Sequence, residues 1–210
     1  MRPHIRLALP LLLLTAACSP ALRPLAPLAP LAPLPEPPAE SPTLLDVRPE
    51  EPSLADPELS ALRERGLMVP VVGVAASQIA DSFNEGRDGA RRHNAVDILA
   101  PRGTPVLAAE DGVVLKVGTN TLGGNVVWTT DRDRRFAYYY AHLERWARGL
   151  REGQPVSRGD VIGYVGTSGN APKNTPHLHF QVLHITDPRH YSDGPPLNPL
   201  PFFTPQGTTR

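Results

Sequence analysis

A single cysteine, Cys18, in a chain of 210 residues excludes an intrachain disulfide and any cysteine-based zinc site. The fold therefore rests on packing, or on a metal held by other side chains. Neither sign of charge is in surplus, with 21 basic and 21 acidic residues, which argues against a nucleic-acid binder. Lysine is nearly absent, represented only by Lys116 and Lys173, a skew toward arginine that reads as coding bias. No His-Glu-x-x-His is present, which excludes the helical zinc-protease motif. The segment Gly166-Thr167-Ser168-Gly169-Asn170 lacks the last glycine of a serine-hydrolase elbow and precedes no helical pattern.

The apolar run Leu7 to Leu14, interrupted by Pro10, falls short of the ~20 residues of a spanning helix. With Arg2 and Arg6 before it and Thr15-Ala16-Ala17 after it, it reads as a signal peptide over residues 1–17. Cys18 directly behind the small residues resembles a bacterial lipoprotein signal, although Thr15 stands where leucine is usual. That resemblance implies lipidation at Cys18, and Ser19 after it fits a lipoprotein sent to the periplasmic face of the outer membrane. The alternative is a plain secretory signal and a soluble periplasmic or secreted protein.

Proline, by contrast, is plentiful. Twelve prolines fall between Ser19 and Pro57, too many for helix or sheet, so residues 18–57 read as an extended, flexible linker. Glu58 to Gly66 is long enough for two helical turns stopped by glycine, and Leu67 to Val74 reads as a first strand leading into the domain. From there to about residue 200 many short β-branched and aromatic runs alternate with Gly and Pro turns, which predicts an all-β domain built on a compact antiparallel sheet with short helices and long loops. Residues 201–210 form a C-terminal tail. Asp111-Gly112 between two β-branched runs predicts a hairpin pairing Val106–Ala109 with Val113–Val117.

Within this β pattern His177 and His179 lie two apart in Thr175-Pro176-His177-Leu178-His179-Phe180-Gln181-Val182, so a strand projects both from one face. Two neighbouring imidazoles suggest a metal, but a catalytic zinc takes three protein ligands, so partners must come from upstream. His93 and Asp97 are candidates. Four residues along a straight strand span ~13 Å, so the chain must bend at Asn94-Ala95 for both to converge. His142 ends the run Tyr138-Tyr139-Tyr140-Ala141-His142, where period two puts Tyr138, Tyr140 and His142 on one face. The two tyrosines then line a groove or fill the core, the core being the commoner fate.

His93-x-x-x-Asp97, His142 in Tyr140-Ala141-His142-Leu143 and His177-x-His179 together resemble the zinc metallopeptidases of the M23 family, the lysostaphin-like or LytM-like endopeptidases. Ala100-Pro101-Arg102-Gly103-Thr104-Pro105-Val106 and Gly159-Asp160-Val161-Ile162-Gly163 match as well, and the resemblance runs from about Val74 to Leu183, within a peptidase domain of residues 74–200. It implies one Zn2+ held by His93, Asp97 and His179, with His142 and His177 sharing the proton-handling and transition-state roles between them. It also implies a substrate in the stem peptides of peptidoglycan. A second reading is a non-catalytic LytM-like domain that binds and activates a cell-wall amidase, but that class has lost zinc ligands. One departure stands out: Ala95 occupies a place where the family usually has glycine, whose positive φ alanine would adopt only at a steric cost.

Overall fold

The computed structural model describes residues 57–87, 91–187 and 189–204. The expected signal peptide, lipidation at Cys18 and proline-rich linker lie outside these residues, apart from Pro57. A nine-residue helix, α1 (Pro57–Arg65), opens the described chain. Glu58 sits in its first turn and Arg63 and Arg65 in its last, the polarity that the helix dipole favours. It stops at Gly66, whose φ of 64° is one that glycine adopts without strain.

Nine strands follow: β1 (Val96–Leu99), β2 (Pro105–Leu107), β3 (Gly112–Asn120), β4 (Gly124–Asp131), β5 (Phe136–Trp146), β6 (Pro155–Val156), β7 (Val161–Val165), β8 (His177–His184) and β9 (Pro196–Leu197). They form one sheet in the order β1-β8-β5-β4-β3-β6, with β7 joining β2 to β5 and β9 lying on β8. Every strand pair is antiparallel, as expected for an all-β domain. One face carries the main core, in which Tyr138, Tyr140, Phe136, Phe180, Leu178 and Ile98 are fully buried and α1 contributes Leu59 and Leu62. Aromatic side chains each bury ~150–250 Å², so the four rings anchor β5 to β8 and leave the opposite face free for polar residues.

Two expectations are corrected. Leu67 to Val74 is not a strand but makes only isolated bridges, Leu67 to Phe203 and Val71 to Val106. Pro70 has no N–H to donate, Gly73 turns the chain at φ 79°, and the backbone pairs piecemeal with Phe202, Ala109 and Pro105. The Asp111-Gly112 hairpin also fails, since β2 pairs with β7 and β3 with β4 and β6. The tight two-residue turn needs positive φ at both positions, whereas Gly112 lies inside β3 and is absent from the positive-φ glycines. Its role is close approach: a Cβ there would sit 1.6 Å from the Thr130 carbonyl oxygen on β4.

Candidate metal centre

His93 precedes β1 in a loop pinned by backbone bonds from His93 N–H to Glu85 and from Asn94 N–H to Phe83, both 2.9 Å. The chain bends at Asn94, which takes φ 55°, a left-handed conformation that asparagine tolerates better than most residues. Because Asn94 makes the bend, Ala95 keeps an ordinary φ and packs fully buried, and the missing glycine costs nothing there. Beyond the bend, Asp97 enters β1 opposite His179 on β8. His177 and His179 point to the same face, between the core residues Leu178 and Phe180, as the period of two requires.

His142 arrives by a different route. Four residues of β5 (Tyr140 to Leu143) run against three of β4 (Asn125 to Val127), a bulge with His142 at φ 61°. The extra residue reverses the alternation: Tyr138 and Tyr140 go to the core, whereas His142 joins Tyr139 and Ala141 on the site face. The shared face expected for Tyr138, Tyr140 and His142 is thus corrected, and neither tyrosine lines the groove. Tyr139 does.

Three donor atoms form a near-equilateral triangle. His93 Nε2 lies 3.0 Å from Asp97 Oδ1 and 3.0 Å from His179 Nδ1, and His179 Nδ1 lies 3.1 Å from Asp97 Oδ1. Partners on the far side fix the chemistry of two of them, His93 and Asp97. His93 Nδ1 donates to the Ser82 carbonyl at 2.9 Å, which leaves the lone pair on Nε2. Asp97 Oδ2 accepts from Arg87 Nη2 at 2.7 Å, which leaves Oδ1 turned inward. Ser82 serves twice, because its hydroxyl also accepts the Asp97 N–H at 3.2 Å. Ligands ~2.0–2.2 Å from one tetrahedral ion stand roughly 3.3–3.6 Å apart, so the triangle fits a zinc-sized cation after a shift of a few tenths of an ångström. Two nitrogens and one carboxylate oxygen with an open fourth position make a donor set of the catalytic type.

The other two imidazoles present the same atom to the same space. His142 Nδ1 donates to the Ser168 carbonyl at 2.9 Å and His177 Nδ1 to the Thr175 carbonyl at 2.8 Å, so each carries its lone pair on Nε2. Their ring centroids are 4.9 Å apart, and His177 Nε2 lies 3.8 Å from Asp97 Oδ1. Burial, followed by the field of His179, lowers His142 to about 4, so its ring is neutral at pH 7. Burial likewise lowers His179, against the opposing pull of Asp97. Asp97 feels burial as an upward push, but its close contacts with His179 and His93 outweigh it and hold the carboxyl well below the usual carboxylate range.

The cluster lies in an open groove of about 1250 Å³ bordered by Arg87, Arg91 and Arg92, with Trp128 and Tyr139 beside the imidazoles. All five residues expected in the site converge here. His184 and His190 do not: His184 bonds Glu58 and stacks on Phe136, and His190 bonds Asp187. Sequence reasoning missed Ser82, Arg87, Ser168 and Tyr139, which act through backbone carbonyls, an ion pair and a groove wall, none of which leaves a spacing signal.

A β domain with an open-sided His-His-Asp cluster that could hold a metal ion defines the class. Residues 91–199, just over half of the chain, match peptidase family M23, and the chain belongs to that family. Among curated proteins it is 41% identical over 100 residues to the L-Ala–D-Glu endopeptidase of Bacillus subtilis, covering 45% of this chain and 30% of that protein. It is 38% identical over 93 residues to the peptidoglycan DD-endopeptidase ShyC of Vibrio cholerae, covering 44% and 20%. This chain thus spans less than a third of either relative. Among solved structures, a Ruminococcus gnavus protein assigned as a glycyl-glycine endopeptidase, lytM, superposes with a TM-score of 0.57 at 28% identity, covering 69% of this chain and 62% of that one.

Proposed function

We propose that this protein is a zinc-dependent endopeptidase that hydrolyses peptide cross-links of peptidoglycan, with His93, Asp97 and His179 holding the ion and His142 and His177 handling protons. The observation that carries this is the triangle of ligand atoms at 3.0–3.1 Å, with His93 and Asp97 held from behind, at the foot of an open groove. Zinc, when bound, lowers the pKa of a water toward ~7 and polarises the peptide carbonyl. His142 enters neutral, and its Nε2 and that of His177 face the same reacting volume. One can take a proton from the attacking water while the other, once protonated, stabilises negative charge or donates to the departing amine, assistance typically worth ~10²–10⁴ in rate. The amidase-activator reading finds no support, because none of the five polar residues is replaced.

Two relatives carry names for different stem-peptide bonds, L-Ala–D-Glu and a DD linkage. Of these we favour a DD cross-link, the D-alanyl to diaminopimelate bond. We also place the protein on the periplasmic face of the outer membrane through lipid on Cys18; Cys18→Ala should move it from the membrane fraction to the soluble one. The main test is to measure zinc in the purified full chain and follow cross-linked muropeptides by mass spectrometry. One equivalent of zinc and conversion of dimers to monomers is expected, and absence of both metal and dimer loss overturns the assignment.

A further inference from the structure

Tyr139 carries a hydroxyl whose proton has no acceptor among the described residues. The direction of its one hydrogen bond follows from a short chain of donors. Asn120 Oδ1 accepts the Gly123 N–H at 2.6 Å, which fixes which end of the amide is oxygen. Asn120 Nδ2 must then donate to the Tyr139 oxygen at 2.9 Å. A phenol with a pKa near 10 keeps its proton at neutral pH, so the O–H remains to be used. The surroundings place it beside the imidazoles. The Tyr139 ring meets His179 edge-on with centroids 6.1 Å apart. Gly123, where a Cβ would sit 2.0 Å from the Tyr139 oxygen, accepts the His142 N–H on its carbonyl at 2.7 Å. Asn120, Gly123, Tyr139, His142 and His179 all border the same groove.

The ring itself is held independently of the hydroxyl, tilted against Trp128 at 4.4 Å between centroids and packed with Val126 and Ala141. Asn120 and Gly123 therefore act as an aiming device: the first occupies the acceptor side of the phenol, the second makes room for its oxygen. We infer that Tyr139 is a substrate-contacting residue whose O–H donates a hydrogen bond to a backbone carbonyl oxygen of the peptide bound in the groove, next to the reacting imidazoles. The inference rests on the endopeptidase assignment and adds to His142 and His177 a third polar group facing the substrate. A preorganised donor aimed where charge develops affects turnover more than binding.

The experiment compares the zinc-loaded full chain with Tyr139→Phe, which keeps the ring packing. Two readouts are used: muropeptide cleavage, and binding of a phosphinate isostere of the cleaved peptide, which needs no turnover. Tyr139→Phe is expected to retain one zinc, to lose ~10–10²-fold in kcat with KM changed less than ~3-fold, and to bind the phosphinate ~10-fold more weakly. Asn120→Ala, which removes the aiming donor but leaves the O–H, should fall between the two. Wild-type kcat and wild-type phosphinate affinity in Tyr139→Phe overturn the inference, as does a loss of activity that tracks a loss of zinc. If the wild-type chain itself neither cleaves muropeptides nor binds the phosphinate, the endopeptidase assignment falls and takes the inference with it, a result distinct from the other two.

Discussion

Two polar clusters flank β5, one on each face of the sheet, and they satisfy their charges in opposite ways. On the core face, Arg65 donates Nε to Glu110 at 2.6 Å and Nη2 to Asp131 at 3.4 Å. Tyr138 O–H donates to the other Glu110 oxygen at 2.5 Å, and Asp131 Oδ1 accepts the Arg135 and Phe136 N–H groups at 2.8 and 2.9 Å. All four carboxylate oxygens have donors within the protein. On the groove face, His93 Nε2, His179 Nδ1 and Asp97 Oδ1 converge within 3.0–3.1 Å of one another, while His93 Nδ1 and Asp97 Oδ2 meet their own partners on the outside. A closed set fastens the helix to the sheet. A set with acceptors facing inward is built for something that binds, because only a cation or extra protons can relieve it.

This contrast is testable by breaking each cluster in turn. Asp97→Ala should abolish zinc binding and lower turnover at least ~10³-fold, since the activated water and the polarised carbonyl are lost together. His177→Ala should keep the zinc and lose ~10²–10⁴ in kcat; equal metal loss in both variants would show that the two histidines of β8 do not divide as assigned. Glu110→Ala should do the reverse, leaving zinc stoichiometry intact while destabilising the fold by ~2–4 kcal/mol, because Tyr138 loses its acceptor and Arg65 its nearer partner. Chemical denaturation reads that loss directly, and a fall in bound metal without a fall in stability would contradict it. Arg87→Ala should weaken zinc affinity by ~10-fold, the lower end for an outer partner of a ligand, as measured by competition with a chelator.

The smallest effect is expected from pH. His142 is lowered to about 4 in the fold against ~6.5 when unfolded, so the unfolded chain takes up the proton first as pH falls. Its contribution to stability is therefore complete above pH 6.5 and is lost between 6.5 and 4. Melting curves of the metal-free chain across that window should converge with those of His142→Asn toward pH 4, and a constant gap would refute the linkage.

What was legible along the chain depended on period. His177 and His179 share a face because a strand alternates, and no neighbour alters that. Extending the same rule to Tyr138, Tyr140 and His142 fails, because a bulge is invisible in a sequence that offers no glycine at the point where φ turns positive. The bend at Asn94 was legible as a necessity of distance, since His93 and Asp97 could not otherwise meet. That Asn94 bears the positive φ, sparing Ala95, was decided by the loop hydrogen bonds that the His93 and Asn94 N–H groups donate to the Glu85 and Phe83 carbonyls. Asp111-Gly112 misled for a related reason: glycine is equally required where a neighbouring strand leaves no room for a Cβ.

The sequence by itself determined the all-β class, the helix ahead of the sheet and, through the order and spacing that resemble the M23 family, the five polar residues of the site, since residue identity, spacing and strand period are local properties. The tertiary structure decided which strands pair and which face His142 takes. It also set the tautomers of His93 and His142. Those depend on the carbonyls of Ser82 and Ser168, brought in from other segments, and a contact of that kind exists only once the chain has closed around it, whereas His177 bonds the carbonyl of Thr175 two residues before it.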